Sequence, residues 1–145
     1  QKHRGKPVQF SLLIHAANIG FMILFSAVVA PAVFKSLSQK AAGAYLRVLF
    51  PRMFIFGSVT SSLATLMAVF ESHLDIAIIS GGITAGFLFN AFVITPQINK
   101  HRDNMLNGDL IAKAMFRRLH LISVSVFITQ LLASFYAILT STILL

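Results

Sequence analysis

VQFSLLIHAANIGFMILFSAVVAPAVF, residues 8–34, contains no Lys, Arg, Asp or Glu. About 20 apolar residues in a helix cross the hydrocarbon of a bilayer, so this stretch alone is long enough to span. Three more charge-free stretches follow, Met53–Phe70, Ile76–Ile94 and Leu119–Leu145, all near that length or beyond it. They predict helical spans at 8–34, 53–70, 76–96 and 119–145, the third carried on to Pro96. Nearly every charge falls between them. The predicted fold is all-α, a four-helix transmembrane bundle forming one integral membrane domain over residues 1–145.

The composition agrees. At 57% hydrophobic and 11% charged, with a mean hydropathy of +0.81, the chain lies outside the range of soluble globular domains. The segments between spans are all short, too short for a separate core, since below roughly 40 residues a domain needs disulfides or metal. The first stretch is too long for the apolar region of a signal peptide and lacks a small-residue cleavage site, so it reads as a retained helix. Cysteine is absent, which removes disulfides, thiolate metal sites and cysteine nucleophiles.

A net charge of +8 could signal nucleic acid, but the cations are scattered over short connections with no aromatic stacking platform, so no nucleic-acid partner is expected. Topology explains the charge instead. Lys35, Lys40, Arg47 and Arg52 flank the first connection, and Lys100, Arg102, Lys113, Arg117 and Arg118 the third. On the opposite side lie Lys2, Arg4 and Lys6 in the tail and Glu71, His73 and Asp75 in the second connection. Nine cations against three place both termini on the non-cytoplasmic side. Short loops and small size point to a bacterial inner membrane, with an organellar membrane as the alternative.

Sliding the first half onto the second so that Pro31 meets Pro96 lays Val28–Lys35 on Val93–Lys100 and Gly43 on Gly108. After one extra residue, Phe50–Met53 falls on Phe116–Leu119. Each unit holds two spans, so the sequence predicts two tandem helical hairpins related by a pseudo-two-fold axis along the membrane normal. Pro31 and Pro96 should end or kink their helices, because proline removes a backbone donor and clashes with the preceding turn. Gly108 and Asp109 mark a helix start, expected to open a short interfacial helix with Leu110, Ile111, Ala114 and Met115 on its apolar face.

In lipid, helices associate through small residues and interhelical hydrogen bonds. Gly82 and Gly86 form a GxxxG, and Gly57, Ser61, Thr65 and Ala68 share a stripe. These are candidate packing positions, within one chain or in a homodimer. Polar residues inside spans mark interhelical bonding or a site. Counting rise per residue places His15 about 10 Å below one surface and Asn18 near the midplane. Gln130 lies at a similar height, with Ser62, Thr65 and Thr84 near it. His15, Asn18 and Gln130 are therefore the candidate ligand- or cofactor-binding layer. Asn90 and His120 form a second candidate pair near the cytoplasmic face, within hydrogen-bonding reach if the third and fourth spans are neighbours.

Haem b is a poor fit as cofactor: His15 and His120 differ by roughly 15 Å along the normal, too far for bis-histidine ligation. Only His15 alone, or His15 with Met22, is left as an axial ligand set. No metal site and no catalytic residues are expected. All four carboxylates, Glu71, Asp75, Asp103 and Asp109, lie in loops, so no buried pair can share acid and base roles.

Particular spacings resemble a known family. His15 in the first span, Phe34-Lys35-Ser36-Leu37, Gly43 and Leu49-Phe50-Pro51-Arg52-Met53-Phe54 carry the likeness in the first half. Asn90-Ala91 ahead of Pro96, and Phe116-Arg117-Arg118-Leu119-His120 followed by Ser123, carry it in the second. Together they resemble the transmembrane protein 205-like family, four-span proteins with many bacterial members of unknown function. The resemblance implies the architecture and no established chemistry. Trp, frequent in the first span of that family, is missing here, and Phe127 stands where an Asn follows the final His-x-x-Ser. The expected role is a non-catalytic accessory or scaffolding subunit that contacts the lipid bilayer and other membrane-protein subunits. The alternatives are a binder of a small ligand, haem or metal within the bundle, or a small-molecule exporter.

Overall fold

The computed structural model describes residues 9–143; Lys2, His3, Arg4 and Lys6 of the tail and the last two residues of the fourth span lie outside them. Among the described residues the regular elements are all helical: α1 (Phe10–Ser36), α2 (Gln39–Phe70), α3 (Leu74–Leu106) and α4 (Leu110–Ile143). All four are long and apolar enough to cross a membrane. The connections are so short that successive helices must run antiparallel. α1 packs on α2 and α4, and α3 on the same two, which gives a square transmembrane bundle with residues 9 and 143 at one end and the lysines and arginines of the described residues at the other.

The helices outrun the predicted spans. α2 starts at Gln39 and α4 at Leu110, so the cationic stretches ahead of Met53 and Leu119 are helix rather than loop. Lys, Arg, Gln, Ala and Leu are strong helix formers, and in α2 they carry the helix through Gly43 and Pro51. The short interfacial helix expected from Asp109 is likewise no separate element but the opening of α4. The start signal itself is accurate: Asp109 Oδ1 accepts from the backbone N–H of Ile111 at 2.8 Å and Ala112 at 3.0 Å. Ser38 caps α2 in the same way through Ala41 N–H at 3.3 Å.

Neither Pro31 nor Pro96 ends a helix. A single π turn precedes each, Phe25–Val29 and Asn90–Ile94, and α-helix resumes with the proline in its first turn. A proline there has no intrahelical bond to lose, and the widened turn relieves its ring from the carbonyl behind it. Pro51 lies inside α2, where the Arg52 guanidinium donates to the Val48 carbonyl at 3.1 Å. Both α2 and α3 end in a reversed turn closed by paired N–H to carbonyl bonds, His73 to Ala68 with Ser72 to Val69, and Asp109 to Asn104 with Gly108 to Met105. The left-handed residue is Gly108, φ +93°, in one and Ser72, φ +61°, in the other.

The buried face of α1 is Ser11, His15, Asn18, Ile19 and Met22, a helical stripe of spacing three and four. Small side chains fill much of the rest: Ser61, Ala64, Ala68, Ser80, Ser134 and Ala137 are fully buried. The largest apolar cluster joins Met22, Met53, Phe54, Ile83, Phe87 and Ala91. Phe87 is its hub, with ring centroids 6.1 Å from Phe21, 6.4 Å from Phe54 and 6.5 Å from Phe127. Large apolar side chains such as Phe34, Phe70, Ile78, Phe92 and Leu132 point outward on all four helices, as lipid-facing surface requires.

The glycines divide sharply. A Cβ on Gly57 would lie 2.7 Å from the Phe87 ring, and one on Gly86 2.8 Å from Gln130 Nε2, whereas Gly81 and Gly82 face open space. Gly86 thus serves packing inside the chain while Gly82, its partner in the GxxxG, does not. Gly57→Ala should destabilise the bundle by about 1–3 kcal/mol through overpacking against a rigid ring. Gly82→Ala should be neutral or stabilising by up to about 1 kcal/mol. Reversible unfolding by SDS in mixed micelles measures both.

Candidate functional site

A column of polar side chains occupies the half of the bundle nearer the termini. At its mouth the Glu71 carboxylate accepts from the backbone N–H of Ser11 at 3.3 Å and from the Ser11 hydroxyl, so it caps the exposed donors at the start of α1. Gln9 Nε2 lies 2.9 Å from His73 Nε2 beside it.

One turn deeper, His15 is fully buried and bridges two helices, with Nε2 2.8 Å from Ser80 Oγ on α3 and Nδ1 3.3 Å from Ser134 Oγ on α4. Ser80 spends its own proton on the Ile76 carbonyl at 2.7 Å, so its oxygen can only accept. His15 Nε2 therefore carries a hydrogen, and in the neutral ring Nδ1 accepts from Ser134. Asn18 Nδ2 donates to Ser61 Oγ at 3.1 Å, and Gln130 Nε2 to the Ile83 carbonyl at 2.8 Å. The structure buries all three candidates, His15, Asn18 and Gln130, but joins none directly to another. Each is tied to a neighbouring helix. Ser62, Thr65 and Thr84 take no part: their hydroxyls donate one turn back to Ser58, Ser61 and Ser80 carbonyls.

The aromatic cluster around Phe87 closes this column from the half nearer the basic end. Beyond it Asn90 is fully buried and donates from Nδ2 to the Ser123 carbonyl at 3.3 Å. The hydrogen bond expected between Asn90 and His120 is not formed. Ser123, three residues on, turns inward, while His120 is exposed and stacks on Phe116 with centroids 6.2 Å apart. Ser11, Ser80, Ser123 and Ser134 do not stand out in the sequence, because their small side chains look like packing. One signal does exist: Ser80 is the residue that the repeat lays on His15, and Ser134 stands one turn after Gln130.

The chemistry this arrangement can do is limited. Both nitrogens of His15 are engaged and Met22 is buried in the apolar cluster, so this pair does not fit haem ligation. No group of three or more His, Asp or Glu able to hold a metal occurs among the described residues. Three of the four carboxylates are structural: Glu71 caps α1, Asp109 caps α4, and Asp103 pairs with Arg47 through Nη1 at 3.0 Å and Nη2 at 2.6 Å. What is unspent is four amide oxygens, Gln9 Oε1 at the mouth and Asn18 Oδ1, Asn90 Oδ1 and Gln130 Oε1 inside the bundle, buried with no donor among the described residues. Two grooves lie on the outside: about 440 Å³ between α1 and α2, lined by Phe10, Leu13, Ala17 and Leu63, and about 310 Å³ between α3 and α4, lined by Ile78, Gly82, Thr129 and Gln130. Neither reaches Asn18, which is 1% exposed.

The family described as "domain of unknown function (DUF4149)" matches residues 13–107, which take in most of α1 and all of α2 and α3. No curated protein and no solved structure matches the chain.

Nitrogen-15 NMR of histidine-labelled protein should show His15 as the Nε2–H tautomer, and His15→Ala should cost about 1–3 kcal/mol by stranding the buried Ser134 hydroxyl and removing the bond to Ser80. The Arg47 hydrogen bond holds the Asp103 carboxyl below its usual range. A depressed carboxylate contributes stability above its unfolded value and loses it as pH falls through the folded one. Being exposed, the pair contributes little. Wild type and Asp103→Asn should therefore differ slightly at neutral pH and converge on acidification, as read by unfolding temperature against pH.

Proposed function

We propose, for a chain that belongs to the DUF4149 family of domains of unknown function, the role of a non-catalytic subunit that supports a larger membrane assembly through its outer surface. One observation carries this reading: the interior polar groups bond helix to helix and three of the four carboxylates are spent on caps and an ion pair. An interior so committed leaves the lipid-facing exterior and the two ends for interaction. The exporter reading loses support, since it needs an aqueous path to Asn18.

The likeness to the transmembrane protein 205-like family belongs to the same proposal, as do a bacterial inner membrane and termini on the non-cytoplasmic side. So does the origin of the fold in two hairpins. The repeat lays Phe25, where the first π turn begins, on Asn90, where the second begins. It also lays Met22 on Phe87, which share one cluster, and both matches support a duplication with its axis along the membrane normal.

A second reading is favoured by the unpaired oxygens of Asn18 and Gln130, which would suit a small hydrogen-bond donor held inside the bundle. Native mass spectrometry of protein released gently from its own membranes separates the two. A co-migrating membrane polypeptide is the expected result. A small adduct lost in Asn18→Leu and Gln130→Leu would favour the second reading, and a bare monomer would overturn the first.

A further inference from the structure

At the basic end, Gly43 on α2 is buried, and a Cβ built on it would fall inside the guanidinium of Arg102 on α3. The guanidinium occupies space that only a glycine leaves open, so a side chain at position 43 would displace it. Its donors have no acceptor among the described residues. The nearby carboxylate, Asp103, is already bound through both oxygens by Arg47. Beside it His101 keeps a buried Nδ1 without a partner. Asp103 acts on Arg102 through space only, and a half-buried arginine seated on a glycine with no anion bonded to it is an unusual arrangement. Five N–H donors in a rigid fork suit phosphate oxygens better than any neutral acceptor.

The surroundings favour an anion as well. Lys35, Lys40, Arg52, Lys100, Lys113, Arg117 and Arg118 lie towards this end, against Asp103 and Asp109. Arg102 stands within two turns of Pro96, about 9 Å further along the helix, which brings its side chain to the headgroup layer of a bilayer. We infer that Arg102, seated on Gly43, is the centre of a binding site for a phosphate-bearing anion, presented by a lipid headgroup or free in solution. Gly43 acts as the positioning residue. The remaining cations add a diffuse attraction that falls off within a Debye length, whereas Arg102 supplies directed bonds.

The full chain in a mild detergent is titrated with short-chain phosphatidic acid, short-chain phosphatidylcholine and inorganic phosphate, and its unfolding temperature is followed. Phosphatidic acid or phosphate should raise it, phosphatidylcholine should not, and the anion that acts identifies the source. Arg102→Gln should weaken apparent affinity about tenfold or more, as expected for loss of charge-assisted bonds. Gly43→Ala, which keeps every charge, should weaken it too by displacing the guanidinium. Arg102→Lys, which keeps charge but not the fork, should fall between, and Arg117→Gln should bind as wild type. Equal loss in Arg117→Gln and Arg102→Gln, unchanged binding in Gly43→Ala, or no response to either anion would overturn the inference.

Discussion

Hydrocarbon offers no hydrogen bonds, and the structure of this chain follows from that constraint. Backbone groups must pair within helices, and any polar side chain that enters must find a partner on its own helix or the next. His15 meets the condition by reaching two helices at once, Ser80 on α3 and Ser134 on α4. Asn18 ties α1 to α2, and Gln130 ties α4 to α3. Interhelical bonds of this kind are individually modest in membranes, averaging about 0.6 kcal/mol. Their larger effect is on register: a one-residue slip of α1 would swing His15 and Asn18 out towards lipid.

Packing completes what those bonds begin. Small residues let the helices approach, and where they approach most closely a large group lies on a glycine: Phe87 on Gly57, Gln130 on Gly86, Arg102 on Gly43. The same steric device serves the apolar cluster, the polar column and the basic end. At the first two it brings helices together, and at the third it seats a charged group that is only half-buried.

The four spans were legible because charge is excluded from hydrocarbon whatever the fold. Their ends were not, because the lysines and arginines that mark the boundary are also good helix formers and carry α2 and α4 on into water. The helix ends considered at Pro31 and Pro96 are not formed for a related reason, since proline forbids an α-helical bond but not a wider turn. Ser72 gave no sign of its left-handed backbone, a position usually held by glycine. In the site, His15, Asn18 and Gln130 could be picked out by polarity alone, yet their partners could not. A serine reads the same whether it fills space or accepts a bond, and Asn90 and Gln130 bond to backbone carbonyls, which every residue carries. Asn90 meets α4 at Ser123, three residues past His120, whose side chain is exposed; which side of a helix faces in depends on its rotation, which the π turn in α3 alters.

The bundle is joined by links as short as Leu37–Ser38, Glu71–His73 and Asn107–Asp109. Proteases cut exposed, pliable stretches at loop tips, and these links are too tight to be drawn out into an active-site cleft. The folded core should therefore survive digestion without nicks, and a cut at any of the three junctions would report that neighbouring helices had first come apart.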